Sequence, residues 1–348
     1  MFTNTNTNAQ GCVAIKSNGG YCTMPDHKDA KDMQSWTLSI NNRYFRSYKH
    51  FVGTAEQKQR VDQGTQVINH ANTTDFNLFR SLKKGWSVAI DVPVIFNTRS
   101  SLYEHGGKKR HSTNSYGLGD IRLAAYKWII DPVKKSKANV QLGFGIKLAT
   151  GDYKYQDKFF VNDSTNILGP VDQSIQLGDG GLGFTTEINA YYKIIKNLGL
   201  YGDFYYLFNP REQNGTSTAR GSAPSATAVR YGSDVMSVPD QYMIRAGVNY
   251  KIKHLTISAG IRDERLPAFD LVGGSNGFRR PGYILALEPG LTYQFKKIDI
   301  YAYVPYALKR SRLQSVPDKI RTKLTGVYSQ GDAAFADYAV NVGLNIRF

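Results

Sequence analysis

No stretch of this sequence approaches the roughly 18 consecutive apolar residues that a membrane-spanning helix needs, and mean hydropathy is −0.40. A helical membrane protein is excluded. A membrane barrel is not, because its strands need only about 10 alternating residues each. Cysteine is nearly absent, with two residues, Cys12 and Cys22, close together near the start. The pair allows a small disulfide loop in an oxidising compartment. A two-cysteine metal site would be incomplete, and Ala9-Gln10-Gly11 is a poor signal for lipidation of Cys12. The opening, Met1 to Asn8, has neither the basic start nor the apolar run of a secretory signal, so the leader is expected to be removed or the start internal.

Acidic residues are the minority, 28 against 44 Lys and Arg, for a formal charge of +16. A nucleic-acid binder concentrates such charge in one patch or tail. Here it is spread over turns, loops and the polar phases of strands, which argues against nucleic acid. It suits lipid headgroups, anionic glycolipid or an anion-leaning lumen. The six histidines, His27, His50, His70, His105, His111 and His254, fall in no serine-hydrolase or metal-ligand motif. A barrel lipase would need a Ser-His pair near the outer leaflet, with His70 the nearest candidate. The reading is therefore of a non-enzyme with no cofactor and no metal.

Period-two alternation is abundant. The chain ends in Ala339-Val340-Asn341-Val342-Gly343-Leu344-Asn345-Ile346-Arg347-Phe348, which sets an apolar face from Tyr338 to Phe348 against a polar one. Similar segments recur from Trp36 onward, at about 36–48, 67–82, 86–92, 116–130, 139–151, 181–195, 198–209, 239–252, 254–265, 282–295, 298–310 and 334–348. The links alternate between short and long. Lys83-Lys84-Gly85, Lys196-Asn197, Lys253-His254 and Lys296-Lys297 are among the short ones. That rhythm is expected of an all-β, transmembrane, antiparallel up-and-down barrel of about twelve strands, with short periplasmic turns and long extracellular loops. An even strand count puts both termini in the periplasm. The 23 Tyr and 17 Phe suit aromatic girdles. Residues 1–35, rich in Asn, Thr and Gly, read as an irregular extension, a plug or a periplasmic segment, and 36–348 as the barrel.

The polar phases carry Arg43, Asp91, Lys147, Glu187, Asp203, Arg245, Arg262, Glu288, Asp337 and Arg347. A dry soluble core would penalise them, whereas a lumen accommodates them. They either brace the barrel or orient a solute. Pro93, Pro289 and Pro305 fall within strands, where bulges or local breaks are expected. Segment 116–130 has no clean phase. Gly178-Asp179-Gly180-Gly181 and Asp240 read as turns rather than Ca²⁺ loops. Tyr103-Glu104-His105 and Phe278-Arg279-Arg280-Pro281 read as outer-loop contacts for anionic glycolipid, unless the loops fold inward.

Gly117-Leu118-Gly119-Asp120-Ile121 followed by Leu142-Gly143-Phe144-Gly145-Ile146-Lys147-Leu148-Ala149-Thr150-Gly151-Asp152 resembles the core motif of outer-membrane transporters grouped with the phenol meta-pathway family. Ala149 stands where that family often has Pro. Arg99 to His105, Gln176 to Gly181 and Phe278 to Tyr283 resemble a subgroup of bacterial outer-membrane proteins of unassigned role, and the long-chain fatty-acid transporters are a more distant likeness. The resemblance implies a bacterial outer-membrane barrel that passively admits a small solute, hydrophobic or aromatic, with Phe348 as the signal to the barrel-assembly machinery. Its partners would be the bilayer and outer-leaflet glycolipid, and it would be a monomer. The alternatives are a structural or interaction barrel with a closed lumen, and the barrel enzyme.

Overall fold

The computed structural model describes residues 35–348 apart from 107, 108, 133 and 135. Cys12, Cys22 and the extension before Ser35 lie outside the described residues. Twelve strands form the wall: β1 (Trp36–Val52), β2 (Ile68–Ser81), β3 (Trp86–Ser101), β4 in two segments (His111–Leu118 and Arg122–Trp128), β5 (Ala138–Lys147), β6 (Gly183–Lys193), β7 (Leu198–Phe208), β8 (Gln241–Ile252), β9 (Leu255–Leu266), β10 (Gly282–Gln294), β11 in two segments (Ile298–Tyr303 and Tyr306–Arg312) and β12 (Ala333–Arg347). Each pairs antiparallel with its sequence neighbour. The sheet closes where β12 pairs with β1, from Thr37↔Arg347 to Phe51↔Ala333. Trp36 and Phe348 exchange both backbone hydrogen bonds at 3.0 Å, so Phe348 seals the ladder against the first strand.

The alternation is executed throughout. Phe96, Phe144, Ile188, Ile244, Ile257, Leu291, Ile300 and Val342 face outward and are exposed, while Asn97, Gln141, Asn189, Arg245, Ser258, Thr292 and Asn341 beside them are buried. An exposed apolar band around a whole barrel is untenable in water and required in lipid. Trp86, Tyr192, Tyr250, Tyr293 and Phe348 ring its short-turn end, with Arg80 over Trp36 at 4.9 Å and Lys127 over Trp86 at 5.2 Å. Lysine and arginine stems thus lie along the apolar edge with their charges toward water.

The intrastrand prolines have one explanation. Pro93 accepts from Gly119 N at 2.8 Å and Pro289 accepts from Val304 N at 3.1 Å. A residue in an antiparallel ladder points its N–H and C=O to the same neighbour. The missing N–H of each proline therefore faces a strand that is already broken, β4 at 119–121 and β11 at 304–305. The break in β4 also accounts for the unclear phase of that segment. Its first half pairs with β3 alone, and its second with β3 and β5. A side chain at Gly119 would lie 2.8 Å from Ile95 Cδ1 and 2.9 Å from Pro93 Cγ.

The long loops carry the remaining elements: α1 (Gln59–Asp62), a hairpin of Gln156–Phe160 with Asn166–Pro170, another of Gln213–Ser217 with Val235–Ser237, α2 (Ala226–Tyr231) and α3 (Val316–Thr325). A Ser315–Asp318 capping box starts α3 and Gly326, left-handed at φ 70°, ends it.

Candidate functional site

Inside the wall, charged side chains of nine strands meet in one belt. Arg43 on β1 donates to both oxygens of Glu264 on β9 at 3.0 Å. Arg262 Nε reaches Glu264 at 2.8 Å, and its Nη1 reaches Glu288 on β10 at 3.2 Å. Arg245 on β8 joins Glu288 through Nε at 2.8 Å and Asp203 on β7 at 3.3 Å. Across the lumen, Arg122 on β4 pairs with Glu187 on β6, which also accepts from Tyr126 at 3.1 Å, and lies 4.0 Å from Asp91 on β3. Asp75 on β2 is buried at the same level, near Asp91 and Arg43. The most exposed of the ten, Arg245, is only 9% exposed, so the lumen is occluded at this level.

Arg43, Asp91, Glu187, Asp203, Arg245, Arg262 and Glu288 thus come together as one group. Lys147 sits apart, at the long-loop end, bound to Asp179 at 2.6 Å and Asp120 at 3.1 Å. There Asp120 also accepts from Gly151 N, and Thr150 ties to both Gly119 and Ile121. The Gly-Asp and Thr-Gly-Asp motifs therefore clamp the break in β4 to the next loop. Asp337 takes Lys49 at 2.9 Å, Arg310 at 2.6 Å and Tyr48 at 3.1 Å, beside the register shifts of β1. Arg347 pairs with Asp299 near the short-turn end at 2.6 Å. Sequence reasoning missed Asp75, Arg122 and Glu264 as belt members. Asp75 and Glu264 follow the same alternation as their neighbours and could have been found from it. Arg122 was hidden by the break in β4.

Above the belt lies an apolar cluster of Phe51, Ala333 and Phe335 with Leu266 and Ile284. Between the two is a cavity of about 30 Å³, lined by Arg43, Arg262 and Glu264 on one side and by Phe45, Ile284, Ala286, Ala307 and Ala339 on the other.

The loops fold into the mouth, which corrects the glycolipid-contact reading of two motifs. Arg279 and Arg280 are buried. Arg279 holds Asp270 through both amino groups, at 2.6 and 2.7 Å, and Arg280 holds Asp172 at 2.6 Å. Glu104 is buried between Arg99, at 2.7 Å, and Arg220, at 2.9 Å. Burial opposes ionisation of Asp172, but the guanidiniums of Arg280 and Arg99 outweigh it and hold the carboxyl well below its usual range. Burial lowers Arg280 to about 10 despite Asp172. The anion-leaning lumen also needs correction, since four arginines of the belt face six carboxylates. The basic surplus lies instead in short turns such as Lys83-Lys84 and Lys296-Lys297.

The other singled-out groups act as staples. Asp240 accepts from Tyr206, Asn209 N and Leu271 N at 2.7–2.9 Å. His50 Nδ1 lies 3.0 Å from Asp332, but its Nε2 accepts the Val67 amide at 2.9 Å, leaving no nitrogen for a nucleophile. His70 bonds Tyr44 at 2.8 Å. Among the described residues, no group of three or more His, Cys, Asp or Glu could hold a metal.

No family model and no curated protein matches the chain. Solved structures do. An outer membrane channel from Pseudomonas putida F1 aligns over 95% of this chain and 99% of its own, with a TM-score of 0.57 at 9% identity. The translocator domain of the autotransporter NalP from Neisseria meningitidis covers 91% of this chain and 89% of its own, with a TM-score of 0.47 at 11% identity. The toluene transporter TodX of Pseudomonas putida covers 90% and 89%, with a TM-score of 0.44 at 7% identity. At these identities the likeness is one of fold, and the chain has the fold of a bacterial outer-membrane β-barrel.

Proposed function

We propose that the chain is an outer-membrane channel through which a small solute passes passively, gated by the charged belt and the infolded loops. The observation that carries this is the chemistry of the constriction. A lumen that needed only filling would be cheaper to fill with apolar side chains, because burying a charge costs several kcal/mol even when it is paired. A belt of ten charged groups is worth that cost where water and solute pass and the pairs exchange partners. The apolar cluster above it favours a hydrophobic or aromatic solute entering from the long-loop side. The even strand count supports periplasmic termini. A single closed wall is compatible with a monomer, and the strand ending in Phe348 is the segment offered to the assembly machinery.

Planar-bilayer conductance of the purified protein tests the reading. Discrete channel openings are expected, and the absence of both conductance and solute flux sinks it. The occlusion of the belt favours one second reading, a structural barrel with a closed lumen that partners another envelope component. That reading gains the ground if no flux is found.

A further inference from the structure

We propose that the belt selects cations, with Asp75 as its specificity-determining residue. This rests on the channel reading and deepens it by naming the charge class of the permeant: a small monovalent cation, inorganic or the ammonium end of an organic solute.

The belt's six carboxylates outnumber its four guanidiniums, and the geometry locates the surplus. Both oxygens of Glu264 engage Arg43 at 3.0 Å. Arg262 bridges Glu264 and Glu288. Arg245 bridges Glu288 and Asp203. Arg122 gives Nη1 to Glu187 and approaches Asp91 no nearer than 4.0 Å. Each guanidinium is therefore engaged with another carboxylate, and Asp75 is in no ion pair among the described residues. It is 7% exposed, and its Oδ1 has no hydrogen-bond partner. Its neighbours relieve it only in part: the Asn41 side chain hydrogen-bonds the carboxylate and Arg43 and Arg122 attract it from a distance. Directly opposite on β1 is the uncharged Asn41, and opposite on β3 is Pro93.

A buried carboxylate oxygen with no donor carries the desolvation penalty of a charge without compensation. Two species relieve it, a bound proton or a passing cation. An anion entering the same belt meets the surplus carboxylate as well as engaged arginines, and is disfavoured twice. Rings of acidic side chains impose cation preference in this way. The basic turns do not reverse the argument. They lie at the end of the barrel, beyond about one Debye length at physiological salt, whereas the selecting charge is in the constriction.

The test is the zero-current potential of purified full-length protein in a planar bilayer under a KCl gradient, repeated with tetramethylammonium chloride. Wild type is expected to favour K⁺ over Cl⁻, as acidic rings do, and the sign to persist with tetramethylammonium if organic cations fit. Selectivity for K⁺ alone restricts the permeant to inorganic ions and overturns the organic half of the proposal. Asp75→Asn is expected to bring the ratio toward unity, Asp75→Glu to retain it, and Asp163→Asn, in an exposed loop, to leave it unchanged. A conducting wild type that prefers anions, or a conducting Asp75→Asn with unaltered selectivity, overturns the inference while the channel reading stands. The wild-type sign alone is decisive, so a variant that fails to fold does not protect the proposal. A protein that never conducts overturns both.

Discussion

Arg43 on β1 donates through Nη2 to both carboxylate oxygens of Glu264 on β9 at 3.0 Å, although three strands of wall, β10 to β12, separate them by the shorter route. The pair is a chord across the lumen rather than a rung along it. Replacing Arg43 with Met should leave Glu264 to Arg262 alone and open the section that the chord blocks. Breaking a buried pair typically costs about 3–5 kcal/mol, so the folded band on unheated SDS gels should convert at a lower temperature. Conductance should rise in the same variant. A rise in neither heat sensitivity nor conductance would count against the chord.

Closure of the barrel rests on close contact at Gly343. A side chain there would approach the Tyr301 phenol and the Ile40 carbonyl oxygen, the latter at 2.6 Å. The carbonyl belongs to the β1–β12 ladder and cannot rotate away, while the Tyr301 ring is buried and its hydroxyl bonds Asn41. Gly343→Val should therefore destabilise by about 1–3 kcal/mol, the usual range for overpacking. Urea titration of the reconstituted barrel, followed by tyrosine and tryptophan emission, gives the midpoint. An unchanged midpoint would show that the seam is looser than drawn.

The wall was legible because a membrane barrel writes one simple rule into every strand. Tyr242, Ile244, Ala246, Val248 and Tyr250 face lipid while Arg245 and Asn249 between them do not, and period two is visible without knowing any partner. What was not legible depends on three-dimensional closure. Nothing in the local sequence tells Arg43 that Glu264 faces it from across the lumen. The infolding of Arg279 and Arg280 is likewise invisible, because a basic loop dipeptide looks the same whether it meets glycolipid or Asp270 and Asp172. Pro93 and Pro289 were misfits until the breaks opposite them, in β4 and β11, were placed.

The mouth should depend on Asp172. Its carboxylate holds Arg280 at 2.6 Å and lies 3.6 Å from Arg99, and both arginines are buried. Asp172→Asn removes the carboxylate shared by Arg280 and Arg99 and leaves Arg99 to Glu104. The wall does not depend on this contact, so heat-modifiable migration should survive. The loops should loosen, read as faster cleavage by protease added to intact proteoliposomes. Equal cleavage rates for variant and wild type would remove the carboxylate from the latch.

Acid should loosen the same region through His105. Its Nδ1 accepts the Phe160 amide at 3.2 Å, and its ring stacks on Phe159 with centroids 5.4 Å apart. Burial lowers it from 6.5 to about 4, helped by His111 and Arg220 and opposed by Glu104 and Asp157. A proton on Nδ1 would turn an acceptor into a second donor facing the amide. The folded state therefore binds this proton less readily than the unfolded chain. The stabilisation is complete above pH 6.5 and is lost as pH falls from 6.5 toward 4. Protection of the outer loops against protease or hydrogen exchange should fall across that window. His105→Phe keeps the stacking and removes the titration, so its loop protection should be flatter with pH between 6.5 and 4. If the variant tracks wild type through the window, another group governs the acid response, and Glu104 beside it is the next to replace.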